Sequence, residues 1–220
     1  MEGKLFMFIL HPNTFGDFDL GNVPEFIEAW GHYYINNPPT ILGANAQIVY
    51  AQELNIGNPL TQENIIRLLR WKDPRMLTHS DNNPNPRVQR VIERIQDLNN
   101  FRNGQLSEDN FKHITGEIFP NGHVWRIFLF HICNPAQYPI IDRYVKLAFC
   151  YHTQNNFENN WSLEEAWGHY QNYIQYFFDI YSALGNHVPP DNNIECVQAL
   201  KLVDNALMAF GQFLEKYGLE

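Results

Sequence analysis

The sequence predicts a predominantly α-helical protein, and three observations support this fold class. Apolar residues recur at helical spacing through most of the chain, the segments between them are rich in Asn, Pro and Gly, and strand-like alternation is confined to residues 47–51. The chain has 220 residues, whereas a domain averages about 150. We therefore expect one large domain or two lobes with a substantial hydrophobic core.

The first three predicted helices, 25–34, 62–71 and 87–98, are identified by their apolar faces. Thr61 precedes the second and has the side chain of a helix N-cap. Their apolar residues are Phe26, Ile27, Trp30, Tyr33 and Tyr34 in the first, Ile65, Ile66, Leu68 and Leu69 in the second, and Val88, Val91, Ile92, Ile95 and Leu98 in the third.

The later helices are predicted mainly from their first residues. Ser107 is an N-cap for a helix over 108–119, and Asp142 is one for 143–152. Ser162 and Glu165 form a capping box for a long aromatic helix to about residue 184. The apolar segment 122–133 predicts a buried helix whose His131 is a hydrogen-bonded core residue, and 193–217 predicts the last helix.

The composition excludes several classes of protein. Hydrophobic residues make up 45% and charged residues 18% of the chain, which is typical of a globular protein. The apolar run at residues 5–10 is too short for a membrane span or a secretory signal. The three cysteines are scattered, which excludes a four-cysteine zinc or iron–sulfur site, and we expect a reducing cytoplasmic location.

The segment 107–149 carries a resemblance to a known family. It contains a helix, the turn Phe119-Pro120-Asn121-Gly122, an apolar helix, and a loop that ends in Pro139-Ile140-Ile141-Asp142 before the next helix. This arrangement resembles the helix-hairpin-helix DNA glycosylases, including 8-oxoguanine glycosylase-like proteins. The segment 60–77, with Leu69-Arg70-Trp71-Lys72, is similar to small bacterial glycosylase-like proteins used against phages with modified DNA.

The resemblance implies a role for each matching residue. Asp142 corresponds to the catalytic carboxylate of the family, which stabilises positive charge on the sugar as the base leaves. The hairpin implies phosphate binding through backbone N–H groups at a helix N-terminus. The residues implied for DNA-backbone binding are Asn121, Gly122, His123, Val124 and Lys146, and those for the pocket of a flipped base are Trp71, Trp125, Tyr138, Tyr144 and His11.

The same residues also fit purely structural roles. Asp142 stands where an aspartate commonly serves only as an N-cap, and the turn at 120–124 also fits an ordinary helix connection. Each pocket aromatic also fits the hydrophobic core. Lys146 lies one helical turn after Asp142, so it either pairs with that carboxylate or contacts phosphate.

The family fold implies two lobes with a cleft between them, one from 1–59 with 150–220 and a helix-hairpin-helix lobe over 60–149. Hairpin turns of the family usually carry two glycines, whereas this one has only Gly122, and we expect Asn121 to adopt the left-handed conformation instead. No lysine occurs in 122–133, which implies a monofunctional enzyme without strand cleavage. We expect a monomer with no cofactor; the three cysteines exclude the iron–sulfur cluster that some members of the family carry, and the short apolar run gives no membrane partner.

The expected partner is double-stranded DNA containing a modified base. Two substrates fit the resemblance: a bulky base of phage DNA such as glucosylated hydroxymethylcytosine, removed in defence, or 8-oxoguanine, removed in repair. A third alternative is a DNA-binding or adaptor module that kept the scaffold without the chemistry.

The net charge of −9 is unevenly distributed along the chain. Residues 61–146 contain twelve basic and nine acidic residues, a net charge of +3, whereas the flanks contain three basic and fifteen acidic residues, a net charge of −12. Basic residues drive phosphate binding. We therefore expect weak, salt-sensitive DNA binding through a narrow footprint, with the acidic flanks repelling the duplex elsewhere.

Overall fold

The computed structural model describes residues 22–36, 50, 52–55, 57–73, 85–153, 163–185 and 194–217. These residues form nine α-helices and no β-strand, so the predicted all-α class is confirmed for this part of the chain. The helices are α1 (Val23–Asn36), α2 (Gln62–Lys72), α3 (Pro86–Glu93), α4 (Ile95–Arg102), α5 (Glu108–Ile118), α6 (His123–Cys133), α7 (Arg143–Thr153), α8 (Leu163–Ala183) and α9 (Ile194–Tyr217).

Local capping explains where several helices begin. The Thr61 hydroxyl accepts a hydrogen bond from the Asn64 N–H at 3.2 Å, and the Ser107 hydroxyl accepts one from the Asn110 N–H at 3.4 Å. Both predicted N-caps are confirmed. The predicted capping box at Ser162 lies outside the described residues, although the helix that it would open is present as α8.

One predicted helix is divided in the structure. The sequence predicts a single helix over 87–98, but it is broken at Arg94, whose N–H bonds to the Val91 carbonyl at 3.1 Å, a three-residue spacing that ends α3. The Arg94 side chain reaches Glu117 of α5 at 2.6 Å. This pairing joins the α3–α4 junction to α5, which periodicity along the chain does not reveal.

The only candidate for a strand in the sequence, residues 47–51, is not a strand where the structure describes it. Only Tyr50 of that segment falls in the described part, and its backbone is helical, with its carbonyl accepting a hydrogen bond from the Leu54 N–H at 3.1 Å. Its few alternating residues are too short a pattern to distinguish a strand from one helical turn.

The chain divides into two compact units. The terminal unit consists of Met1–Asn37, Ile141–Pro189 and Ala199–Glu220, and the central unit consists of Pro38–Ile140 and Pro190–Gln198. The boundaries therefore lie at 37/38, 140/141, 189/190 and 198/199, whereas the sequence predicts them at 59/60 and 149/150. Asp142 consequently belongs to the unit that contains the chain termini.

Aromatic side chains form much of the core of each unit. In the central unit, Phe101 stacks on Phe111 with ring centroids 4.1 Å apart, and Phe130 of α6 meets Phe111 edge-on at 4.7 Å. In the terminal unit, Trp30 of α1 contacts Phe210 of α9 at 5.2 Å. Burying one phenylalanine contributes roughly 1.5–3 kcal/mol to folding, so these clusters are major sources of stability.

The structure also bears on two expectations about individual features. His131 of α6 is buried, with Nδ1 bonded to the Tyr138 carbonyl at 2.6 Å and Nε2 bonded to the Tyr50 hydroxyl, which confirms it as a hydrogen-bonded core histidine. None of the described helices combines the length and the apolar character needed to cross a bilayer.

Candidate functional site

Asp142 is the N-cap of α7. Its Oδ1 atom accepts hydrogen bonds from the backbone N–H groups of Tyr144 at 2.9 Å and Val145 at 3.0 Å. Within the described part of the chain, Oδ2 has neither a hydrogen bond nor an ion pair, and the residue is partly exposed. One oxygen thus anchors the carboxylate to the helix, and the other is available for chemistry.

A buried phenol on α8 lies within electrostatic reach of this carboxylate. Tyr173 is fully buried, and burial, followed by the negative charges of Asp204 and more weakly of Asp142, raises its pKa well above the ordinary value. Asp204 is also buried and forms an ion pair with Lys201. Tyr173 therefore remains a neutral hydroxyl in the vicinity of two carboxylates. No local motif in this aromatic helix indicates that placement.

The cations that follow Asp142 are not paired with it. Arg143 donates to the Tyr144 hydroxyl at 2.6 Å and to Glu215 of α9 at 3.1 Å, with its guanidinium 4.5 Å from the Tyr144 ring centroid. Lys146 donates its backbone N–H to the Asp142 carbonyl at 2.9 Å, and burial lowers the pKa of its ammonium group. Of the two interpretations of Lys146, pairing with the Asp142 carboxylate is therefore not observed.

At the position of the predicted hairpin, a short turn joins α5 to α6. The Gly122 N–H donates to the Phe119 carbonyl at 3.2 Å, and no side chain caps the N-terminus of α6. Asn121 is exposed, whereas Gly122, His123 and Val124 are partly exposed. An uncapped helix N-terminus at a turn is the arrangement required for phosphate binding by backbone N–H groups.

The turn forms without the left-handed backbone that the sequence analysis expected at Asn121. Among the described residues other than glycine, only Asn55 has a positive φ, and Gly122 has a φ of −119°. The expectation was wrong because the turn is closed in another way. Arg126 of α6 donates to the carbonyls of Phe119 at 2.8 Å and Pro120 at 3.0 Å.

Arg126 is a residue of the hairpin that sequence reasoning missed. Besides its two bonds to the turn, its Nη2 contacts the Gly116 carbonyl at 3.4 Å, so one guanidinium spans the last turn of α5. Its charge also suits the negative end of the α5 dipole. In the sequence Arg126 is only one of twelve basic residues between 61 and 146, and no local pattern indicates its contacts with the turn.

The residues predicted to form a base pocket are divided between the two units. Trp71 and Trp125 lie in the central unit near Phe128, with ring centroids 6.3 Å and 6.1 Å from it. Tyr138 is buried among the core phenylalanines, and its hydroxyl donates to Glu108 at 2.9 Å. Tyr144 belongs to the terminal unit at the start of α7. His11 lies outside the described residues.

Burial together with Glu108 raises the pKa of the Tyr138 phenol above its usual range, so it stays neutral and donates to that carboxylate.

Among the described residues, no group of three or more His, Cys, Asp and Glu side chains is arranged to hold a metal ion. Comparisons with protein-family models, with curated proteins and with solved structures found no significant match.

Proposed function

We propose that this chain is a monofunctional DNA glycosylase of the helix-hairpin-helix type, which flips out a modified base and hydrolyses its N-glycosidic bond to leave an abasic site. The observation that carries the proposal is the Asp142 carboxylate, held at one oxygen by two backbone N–H groups while Oδ2 is unengaged within the described residues. A fixed, accessible carboxylate is the group that this reaction needs.

The chemistry explains why one carboxylate is sufficient. Cleavage of an N-glycosidic bond builds positive charge on the sugar, and a carboxylate aimed at that charge stabilises the transition state. The same oxygen can orient the water that captures the cation. Because the N–H groups of Tyr144 and Val145 hold Oδ1, the carboxylate does not need to reorganise during the reaction.

The hairpin and α3 supply features suited to a DNA backbone. The α6 N-terminus is not capped by a side chain, and Arg126 adds positive charge beside the same turn. On α3, Arg87 and Arg90 are exposed and, among the described residues, make no ion pair. Arg94, on the same helical face, pairs with Glu117 at the end of α5, which connects this basic face to the hairpin.

The absence of a lysine from His123–Cys133 supports base release without strand cleavage, since bifunctional relatives use a lysine in this helix. For the substrate, we propose a bulky modified base of phage DNA, because the resemblance over 60–77 is to small bacterial proteins of that kind. Repair of 8-oxoguanine is the alternative. Product strands should remain uncut until alkali or a lyase is added.

The test uses two substitutions of Asp142. Asn caps helices about as well as Asp, so Asp142→Asn keeps the cap and removes the charge, whereas Asp142→Ala removes both and costs about 1 kcal/mol of stability. Base release should fall by about 10²-fold or more in both variants. If Asp142→Asn releases base at the wild-type rate, Asp142 is only a helix cap.

The substrate is tested by incubating the wild-type protein with phage DNA that contains glucosylated hydroxymethylcytosine and with an 8-oxoguanine oligonucleotide. Abasic sites are then revealed by cleavage in alkali, with Asp142→Asn as the control. Base release from only one DNA identifies the substrate. Binding to a duplex with an abasic analogue, without base release from either DNA, would instead indicate a DNA-binding module.

A further inference from the structure

Gly211, in the interior of α9, lies directly against the backbone of Tyr144 in the first turn of α7. A β-carbon at Gly211 would overlap the Tyr144 carbonyl oxygen and would lie 2.5 Å from its carbonyl carbon and 2.9 Å from its Cα. The obstructing atoms belong to a helix backbone, so they cannot rotate aside as a side-chain tip does. The close approach of α9 to α7 at this point therefore requires glycine.

The backbone of Tyr144 also holds the Asp142 carboxylate. Its N–H donates to Asp142 Oδ1 at 2.9 Å, while its carbonyl faces Gly211. A shift of the Tyr144 backbone away from α9 would therefore move a group that anchors the carboxylate. The adjacent N–H of Val145, which donates to the same oxygen at 3.0 Å, belongs to the same helical turn and would move with it.

We infer that Gly211 is a positioning residue for Asp142: the missing side chain lets α9 set the place of the first turn of α7 and hence of the carboxylate. This inference rests on the proposed function, in which Asp142 acts on the sugar. Glycine is a poor residue for a helix interior. Its presence at 211 is explained by a backbone contact, which α9 could not make with any other residue at this position.

The chain offers two matched controls in the same unit. Gly168 of α8 and Gly31 of α1 are also helix-interior glycines, and a β-carbon at either would lie within 4 Å of no atom in the described part of the chain. Ala at these positions should strengthen the helices without disturbing a neighbour. The three glycine-to-alanine substitutions are chemically identical, so their difference reports the contact with Tyr144.

The first measurement is the kinetics of base release. Gly211→Ala should lower kcat by about 10²-fold, because a displacement of about 1 Å is enough to cost that factor, and KM for the DNA substrate should stay near the wild-type value. Gly168→Ala should leave both unchanged. A Gly211→Ala enzyme with wild-type kcat would overturn the inference.

The second measurement needs no activity. Amide hydrogen exchange, read residue by residue, should become faster at Tyr144 and Val145 in Gly211→Ala than at the other amides of α7, because the backbone shift separates these two N–H groups from Asp142 Oδ1. Equal acceleration along all of α7, or wild-type protection at both residues, would contradict a positioning role. The same measurement on Gly168→Ala should show no selective change.

Two arrangements keep the test decisive. If Gly211→Ala alone does not fold, the substitution is made in the Gly31→Ala, Gly168→Ala background, whose stronger helices offset the loss. If the wild-type protein releases no base from any substrate, the proposed function fails, while the exchange at Tyr144 and Val145 still decides whether Gly211 positions Asp142.

Discussion

The guanidinium of Arg126 is bonded to the carbonyl oxygen of Phe119, with a distance of 2.8 Å from Nε to the oxygen. The same carbonyl oxygen also accepts a hydrogen bond from the Gly122 N–H at 3.2 Å, so it binds both the backbone of the turn and the Arg126 side chain. Arg126 lies on α6 and Phe119 follows the end of α5. The bond therefore closes the hairpin from the side of the second helix, which replaces the left-handed residue that we expected in the turn.

Removing this side chain should destabilise the protein. In Arg126→Met, which keeps the aliphatic stem, the carbonyls of Gly116, Phe119 and Pro120 each lose the hydrogen bond from the guanidinium, and we expect the free energy of unfolding to fall by about 1–3 kcal/mol. Arg87→Met, at an exposed position of α3, is the control and should change it by less than about 0.5 kcal/mol. Urea denaturation measures both, and equal losses would contradict the role of Arg126.

Gly116 should be energetically coupled to Arg126. A β-carbon at Gly116 would lie 3.1 Å from Nη2 and 3.3 Å from Cζ of Arg126, which is closer than ordinary van der Waals contact, so the guanidinium would have to shift. Ala is favoured over Gly inside a helix by about 1 kcal/mol. We therefore expect Gly116→Ala to stabilise the Arg126→Met variant by about that amount and the wild-type protein by less. Equal effects in the two backgrounds would exclude the coupling.

The contrast between capping and tertiary contact explains what the sequence could predict. The N-caps Thr61, Ser107 and Asp142 were predictable because each acts on backbone N–H groups two or three residues away. The pairing of Arg94 with Glu117 was not, because the two residues are 23 positions apart in the chain. Gly211 likewise depends on Tyr144, which belongs to a different helix. Periodicity and capping thus locate helices, whereas the contacts that position Asp142 and the hairpin turn require the structure.

The basic face of α3 should contribute to the salt dependence of DNA binding. Each phosphate contact contributes about 0.9 to the slope of log K against log salt for duplex DNA. Because Arg87 and Arg90 are exposed and three residues apart, the double variant Arg87→Gln, Arg90→Gln should reduce the slope by up to about 2. Lys216→Gln, at the exposed end of α9, is the control. An unchanged slope in the double variant would exclude α3 from the DNA footprint.

His152 should make folding stability depend on pH. It is buried against Phe210 with ring centroids 4.9 Å apart, and burial lowers its pKa to about 3, from about 6.5 in the unfolded chain. As the pH falls, the unfolded state therefore binds the proton before the folded state does. The stability that the folded state gains from a neutral His152 is complete above pH 6.5 and is lost as the pH falls toward 3. Between pH 7 and pH 5 this group should cost about 2 kcal/mol of stability. The control is His152→Asn, which does not titrate. Urea denaturation at pH 7 and pH 5 should show a loss of stability about 2 kcal/mol smaller in this variant than in the wild-type protein. Equal losses in the two proteins would show that His152 is not buried in its neutral form.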